Sequence, residues 1–145
     1  MRLTLHTDYA LRLLTCLALK PDDISTIAEV AERYDISRNH LTKVAHELGR
    51  AGFVETLRGR GGGLRLARAP EKIAIGDVIR AMEEDFCLVE CFAAETNRCR
   101  IGPACRLKHL LREALDAWLA VLDGATLADL VERPKPLRRL LALAG

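Results

Sequence analysis

The chain has 145 residues, a usual size for one domain, and its 22 basic and 20 acidic side chains leave a formal charge of only +2. That balance is too even to announce a nucleic-acid partner, so the placement of charge has to carry any such case. Half of the residues are hydrophobic and only 4% aromatic, which favours a mainly helical core. With no signal-peptide run near Met1 and no apolar stretch of about 18 residues, a secreted or membrane-spanning protein is disfavoured and a soluble cytoplasmic one expected.

Leu5 to Leu19 reads as a first helix, because Tyr9, Leu13, Cys16 and Leu17 recur three or four apart. After the break at Lys20-Pro-Asp-Asp23, Thr26 and Glu29 form a capping-box signal, and Ile27, Val30 and Ala31 give a second helix its inner side. This helix stops near Tyr34. Ser37 then caps a third helix whose inner face is Leu41, Val44, Ala45 and Leu48, with Gly49 and Gly52 as stop signals. Two short helices joined by so tight a turn are the helix-turn-helix pattern. Phe53–Leu57 and Leu64–Ala67 read as strands around a Gly-rich turn, which makes a wing. Ile75–Met82 is a short helix expected to pack back on this unit, and Phe86–Cys105 reads as a loop. From about Ala104 to Asp123 a long helix carries the apolar stripe Leu107, Leu110, Leu111, Ala114, Trp118, Val121 and Leu122. Its cheapest partner is its own copy in a homodimer. Pro134 and Pro136 set off a tail in which Leu137–Leu143 forms a terminal turn or two.

The fold class expected is mainly α with a small β-hairpin: a winged helix-turn-helix plus a long dimerisation helix. The domain reading is 1–70 for DNA binding, 71–86 for a packing helix and linker, 87–105 for a cysteine loop, and 106–145 for the dimerisation helix and tail.

The start of the second helix of a helix-turn-helix enters the major groove, which puts Ser37, Arg38, Asn39, His40 and Lys43 on the reading side. Arg matches guanine O6 and N7, Asn matches adenine, and Lys reaches guanine or phosphate. A merely solvated helix face is the alternative for that cluster alone. The wing shifts the balance, since Arg58, Arg60, Arg65 and Arg68 lie between Thr56 and Arg68 with no acidic residue among them. Arg60 on a narrow tip suits a minor groove. Four glycines among the five residues 59–63 exceed what a hairpin needs and suggest close approach to another backbone.

Four of the five cysteines crowd into Cys87-x3-Cys91-x7-Cys99-x5-Cys105, which in a cytosolic chain reads as metal binding before disulfides. Thiolates select zinc or iron–sulfur clusters. Zinc sites usually carry a tight knuckle on each side, which the second half lacks, and longer spacings suit a polynuclear cluster. A zinc-stapled DNA-binding protein using all four cysteines remains the alternative. Cys16, on the inner stripe of the first helix, reads as core. No nucleophile motif, phosphate-cradling loop or paired carboxylates appear, so no enzyme is expected.

The segments Leu5–Arg12, Asn39–Val44, Gly59–Gly63, Leu88–Phe92, Cys99–Lys108, Val121–Asp123 and Thr126–Leu130 together resemble the Rrf-type iron–sulfur winged-helix transcription regulators. Within that family they resemble the NsrR branch, which represses genes until nitric oxide arrives. The resemblance covers nearly the whole chain and implies that Cys91, Cys99 and Cys105 ligate a [4Fe–4S] cluster, with [2Fe–2S] as the alternative. It implies further that Asp8 of the partner subunit is a fourth ligand, against the plainer reading that Asp8 stabilises the start of its own helix. Cys87 stands outside the implied set as a bystander thiol. The IscR branch has a histidine three residues after its last cysteine, where this chain has Lys108 and then His109. The seven-residue gap before Cys99 is closer to the iron-responsive RirA type, which keeps iron or cluster status as the alternative signal.

Overall fold

The computed structural model describes residues 2–143. Its elements are α1 (Leu5–Ala18), α2 (Ile27–Tyr34), α3 (Arg38–Arg50), β1 (Val54–Leu57), β2 (Gly63–Leu66), α4 (Ile75–Met82), α5 (Arg106–Asp123), α6 (Leu127–Leu130) and α7 (Pro134–Leu140). The mainly helical chain with one antiparallel hairpin is the winged helix-turn-helix architecture that the sequence pattern predicts.

α1 is the central element, packed against α2, α3, α4, α6 and β2. Ala10, Leu13, Leu14, Cys16 and Leu17 on α1 are buried, and Leu41, Val44, Ala45 and Leu48 of α3 close over them. The starts of α1, α2 and α6 carry side-chain caps. Thr4 accepts the Thr7 N–H at the start of α1. Thr26 and Glu29 complete the expected capping box on α2, and the bonds to Thr26, its backbone N–H foremost, hold the Glu29 carboxyl below the usual carboxylate range. α2 stops because Asp35 turns left-handed (φ 51°), a conformation aspartate tolerates, and Ile36 N–H then bonds back to the Ala31 carbonyl at 2.9 Å. Ser37 does occupy the N-cap of α3, but its hydroxyl makes no capping bond. Gly49 lies inside α3; the stop is Gly52, left-handed at φ 76°, with Phe53 N–H bonded to the Leu48 carbonyl.

Glu55 pairs with Arg65 and Thr56 with Leu64 in the hairpin register, and β2 gains a further partner in Ser25. The Ser25 and Leu64 backbones exchange hydrogen bonds of 3.0 and 2.8 Å, which explains the surplus glycines. Gly59 and Gly61 take positive φ in the turn, whereas a Cβ on Gly63 would stand 2.7 Å from the Ser25 carbonyl oxygen. The close backbone is thus the chain's own.

C-terminal elements return to the same core. Residues 73–75 and 125–127 bond to one another across the Ala74–Thr126 bridge, and Leu127 of α6, an element the sequence reading does not single out, is fully buried. Arg80 on α4 holds Asp123 at the end of α5 through two bonds of 2.6 and 2.7 Å. The prolines begin α7 rather than precede it, since Pro134 and Pro136 sit in its first turn, where a missing N–H costs no helical bond. Arg138 on α7 donates twice to the Leu19 carbonyl at the end of α1.

The apolar positions of α5 divide between two faces. Leu115 is its buried residue, Trp118 and Leu122 pack against the core, and Leu111 is half-buried. Leu107 and Leu110 are each 59% exposed and Val121 75%, with Ala114 beside them. What reads as one stripe is therefore a core face and an open apolar face. The divergence arises because 3.6 residues per turn let seven apolar positions span more than one side of the helix.

Candidate nucleic-acid interface and cysteine loop

α3 presents Ser37, Arg38, Asn39 and Lys43 to solvent at its N-terminal end, and Thr42 and His46 share that open surface. Thr42 is turned inward chemically, since its hydroxyl donates to the Arg38 carbonyl at 2.8 Å. The uncapped Ser37 hydroxyl and the first N–H groups of α3 together suit a phosphate. His40 is placed differently from its neighbours. Its ring is half-buried, edge-on to Tyr9 at 4.8 Å and 5.9 Å from the His6 ring, so it ties α3 to α1. His6 Nε2 meets Glu47 Oε2 at 2.7 Å, a second link between the same helices.

The four wing arginines separate into two kinds. Arg58 and Arg60 stand exposed on the turn and, among the described residues, make no ion pair or side-chain hydrogen bond. Arg65 pairs with Glu55, its cross-strand partner, an acidic residue one position outside the segment that reads as free of them. Arg68 donates to the Gly52 carbonyl at 3.1 and 3.0 Å and lies over the Phe53 ring, where it braces the end of α3 against the wing. The tip supplies uncommitted charge; the base supplies rigidity.

The segment between Phe86 and Cys105 has no helix or strand, only short 3-10 turns at Glu90–Phe92 and Gly102–Ala104. All four of its thiols are free. Cys91, Cys99 and Cys105 are half-buried, whereas Cys87 is exposed. Cys105 is the N-cap of α5, an 18-residue helix with no acidic residue in its first turn. Cys87 instead lines an apolar groove of about 480 Å³ with Leu3, Phe86, Leu111 and Trp118. Among the described residues, no three His, Cys, Asp or Glu side chains gather tightly enough to hold one metal ion. Soft thiols free of competing partners on one loop nevertheless have the donor chemistry that an iron–sulfur cluster takes. Asp8 lies in the first turn of α1 and pairs with Arg12 at 2.7 Å, partly open to solvent. Cys16 is buried among core side chains, and burial pushes its thiol up, as befits an inert core sulfur. No helix among the described residues is long and apolar enough to cross a membrane.

Comparison with known proteins gives a consistent picture. Residues 3–133 match the Rrf2 family, described as an iron-dependent transcriptional regulator. The HTH-type transcriptional regulator NsrR of Bacillus subtilis is 54% identical over 144 residues, covering 99% of each chain. Among solved structures, the T. potens IscR superposes with a TM-score of 0.73 at 26% identity, covering 91% of this chain and 87% of that one. CymR, the global cysteine regulator of B. subtilis, gives 0.72 at 27%, covering 91% and 97%.

Proposed function

The chain belongs to the Rrf2 family of transcriptional regulators, DNA-binding proteins and not enzymes, and on that premise we propose that it is a homodimeric repressor that releases DNA when nitric oxide reaches an iron–sulfur cluster held by Cys91, Cys99 and Cys105. The observation that carries this reading is the placement of three free, half-buried thiols on one loop between the DNA-binding elements and α5. Similarity to regulators named NsrR favours nitric oxide over iron supply as the signal.

In this reading Ser37, Arg38, Asn39 and Lys43 face the major groove, and Arg58 and Arg60 reach the adjoining minor groove. Arg65 and His40 contribute by holding the wing and the recognition helix in place. The open apolar face of α5 pairs with its copy, a contact that removes Leu107, Leu110 and Val121 from water. Two reading heads then fall about one helical turn, ~34–36 Å, apart. Residues 1–70 serve DNA, 87–105 the cluster, and 106–145 the dimer. The cytoplasm is the compartment that keeps such thiols reduced.

Cys91, Cys99 and Cys105 would hold the cluster, and Asp8 of the partner subunit would be a carboxylate of suitable charge for an iron that the three thiolates do not ligate. The bound cluster would supply iron with affinity for nitric oxide. The chain supplies the consequence: a loop that loses its shared anchor no longer fixes α5 relative to the DNA-binding elements. A change of ~1.4 kcal/mol in that arrangement already shifts affinity tenfold.

Oxygen-free purification tests the reading. The expected result is brown protein containing iron and sulfide, broad absorbance near ~400 nm, and operator binding lost on nitric oxide titration. Colourless protein with stoichiometric zinc would mean a structural staple, and loss of DNA binding on iron chelation alone would mean an iron sensor.

A further inference from the structure

Three thiols on an irregular loop need something to set the distances between them, and each edge of the triangle has a different brace. From Cys99 to Cys105 the brace is local: the Gly102 N–H bonds to the Cys99 carbonyl and the Cys105 N–H to the Gly102 carbonyl, both at 3.4 Å. From Cys91 to Cys105 it runs through a ring, because Phe92 lies under the Arg112 guanidinium at 4.0 Å and Arg112 stands on the helix that Cys105 caps. From Cys91 to Cys99 the chain makes its longest excursion, the seven-residue spacer. A turn at Ala93–Asn97 takes up part of it, with the Asn97 N–H bonded to the Ala93 carbonyl at 3.0 Å. Its ends are joined by one contact: Glu90 Oε1 accepts the Arg98 N–H at 2.7 Å. Glu90 immediately precedes Cys91, and Arg98 immediately precedes Cys99.

We propose that Glu90 is a positioning residue for the cysteine set: by accepting the Arg98 N–H, its carboxylate fixes the span between the Cys91 and Cys99 arms before any iron is bound. This rests on the cluster reading above and adds to it a residue that touches no iron. The physical reason is loop closure. A flexible loop explores many end-to-end separations, and one charge-assisted bond across its neck removes most of them. Groups that orient metal ligands without binding the metal typically affect retention by about 10-fold to 100-fold.

The test compares wild type, Glu90→Ala and Glu90→Gln, since glutamine keeps an acceptor oxygen where alanine has none. In cluster-free protein, the Arg98 amide is expected to exchange slowly with solvent in wild type and Glu90→Gln, and freely in Glu90→Ala. In loaded protein, release of iron to a chelator, followed near ~400 nm, is expected to be about 10-fold faster for Glu90→Ala and close to wild type for Glu90→Gln. Fast Arg98 exchange in cluster-free wild type overturns the inference. So does a Glu90→Ala protein that holds its iron as long as wild type, and that outcome leaves the cluster reading standing. Wild type that takes up no iron and sulfide overturns the cluster reading itself, and the exchange rates then still decide whether the brace exists.

Discussion

The helix-turn-helix half and the cysteine loop are built on opposite principles. From α1 to β2 every element buries an apolar face in one shared core, and the helix termini other than the open Ser37 start of α3 are closed by a cap, a left-handed stop or an arginine brace. From Phe86 to Cys105 almost nothing is buried, and shape depends on a few single contacts such as Glu90 to Arg98 and Phe92 to Arg112. The first kind of structure resists change, because close-packed side chains have no nearby alternative arrangement. The second depends on few contacts, so losing one leaves a whole segment without support. A regulator needs both: a rigid reading head and a loop whose geometry is negotiable.

Mutations that separate these principles range from large effects to small. Leu41→Ala, which empties a fully buried site on α3, is expected to cost about 2–5 kcal/mol in urea unfolding of cluster-free protein, whereas Cys99→Ser should stay within about 0.5 kcal/mol. Equal losses at the two positions would erase the contrast. On DNA, Arg60→Ala should weaken binding across operators and lower the slope of log affinity against log salt by about 1. Arg65→Ala, whose charge is already met by Glu55, should change that slope less. A salt titration of both variants decides whether tip and base differ.

The smallest effect concerns acid. Glu29 and Asp129 have folded-state pKa values lowered chiefly by the backbone N–H groups of Thr26 and Thr126. As pH falls, the unfolded chain therefore takes up protons first, so the stability these caps confer is complete above the ordinary carboxylate range and fades as pH drops through the lowered values. Unfolding midpoints measured from about pH 6 down to pH 3 should fall less steeply in the double variant Glu29→Gln and Asp129→Asn.

The legible parts of the molecule were those with short-range causes. The capping box at Thr26, the inner face of α3, the strands of the wing and the limits of α4 each follow from residues within a few positions of one another. Arg65 could have been suspected from Glu55, since residues across a hairpin meet at a register that the turn sets. Nothing nearby marks His40 as a packing residue: the Tyr9 ring that covers it lies 31 positions earlier. The same holds for Arg138, which finds its acceptor at Leu19, and for the division of α5 into two apolar faces.

By itself the sequence determined the order of the main elements, the capping box of α2, the limits of α4, the family and the crowding of four thiols on one loop, because capping and periodicity act along the chain. Only the tertiary structure decided which arginines of the wing are free, which histidine of α3 packs against α1 and which side of α5 lies open. Those outcomes depend on what residues far apart in sequence do to one another's exposure, and periodicity alone carries no record of that.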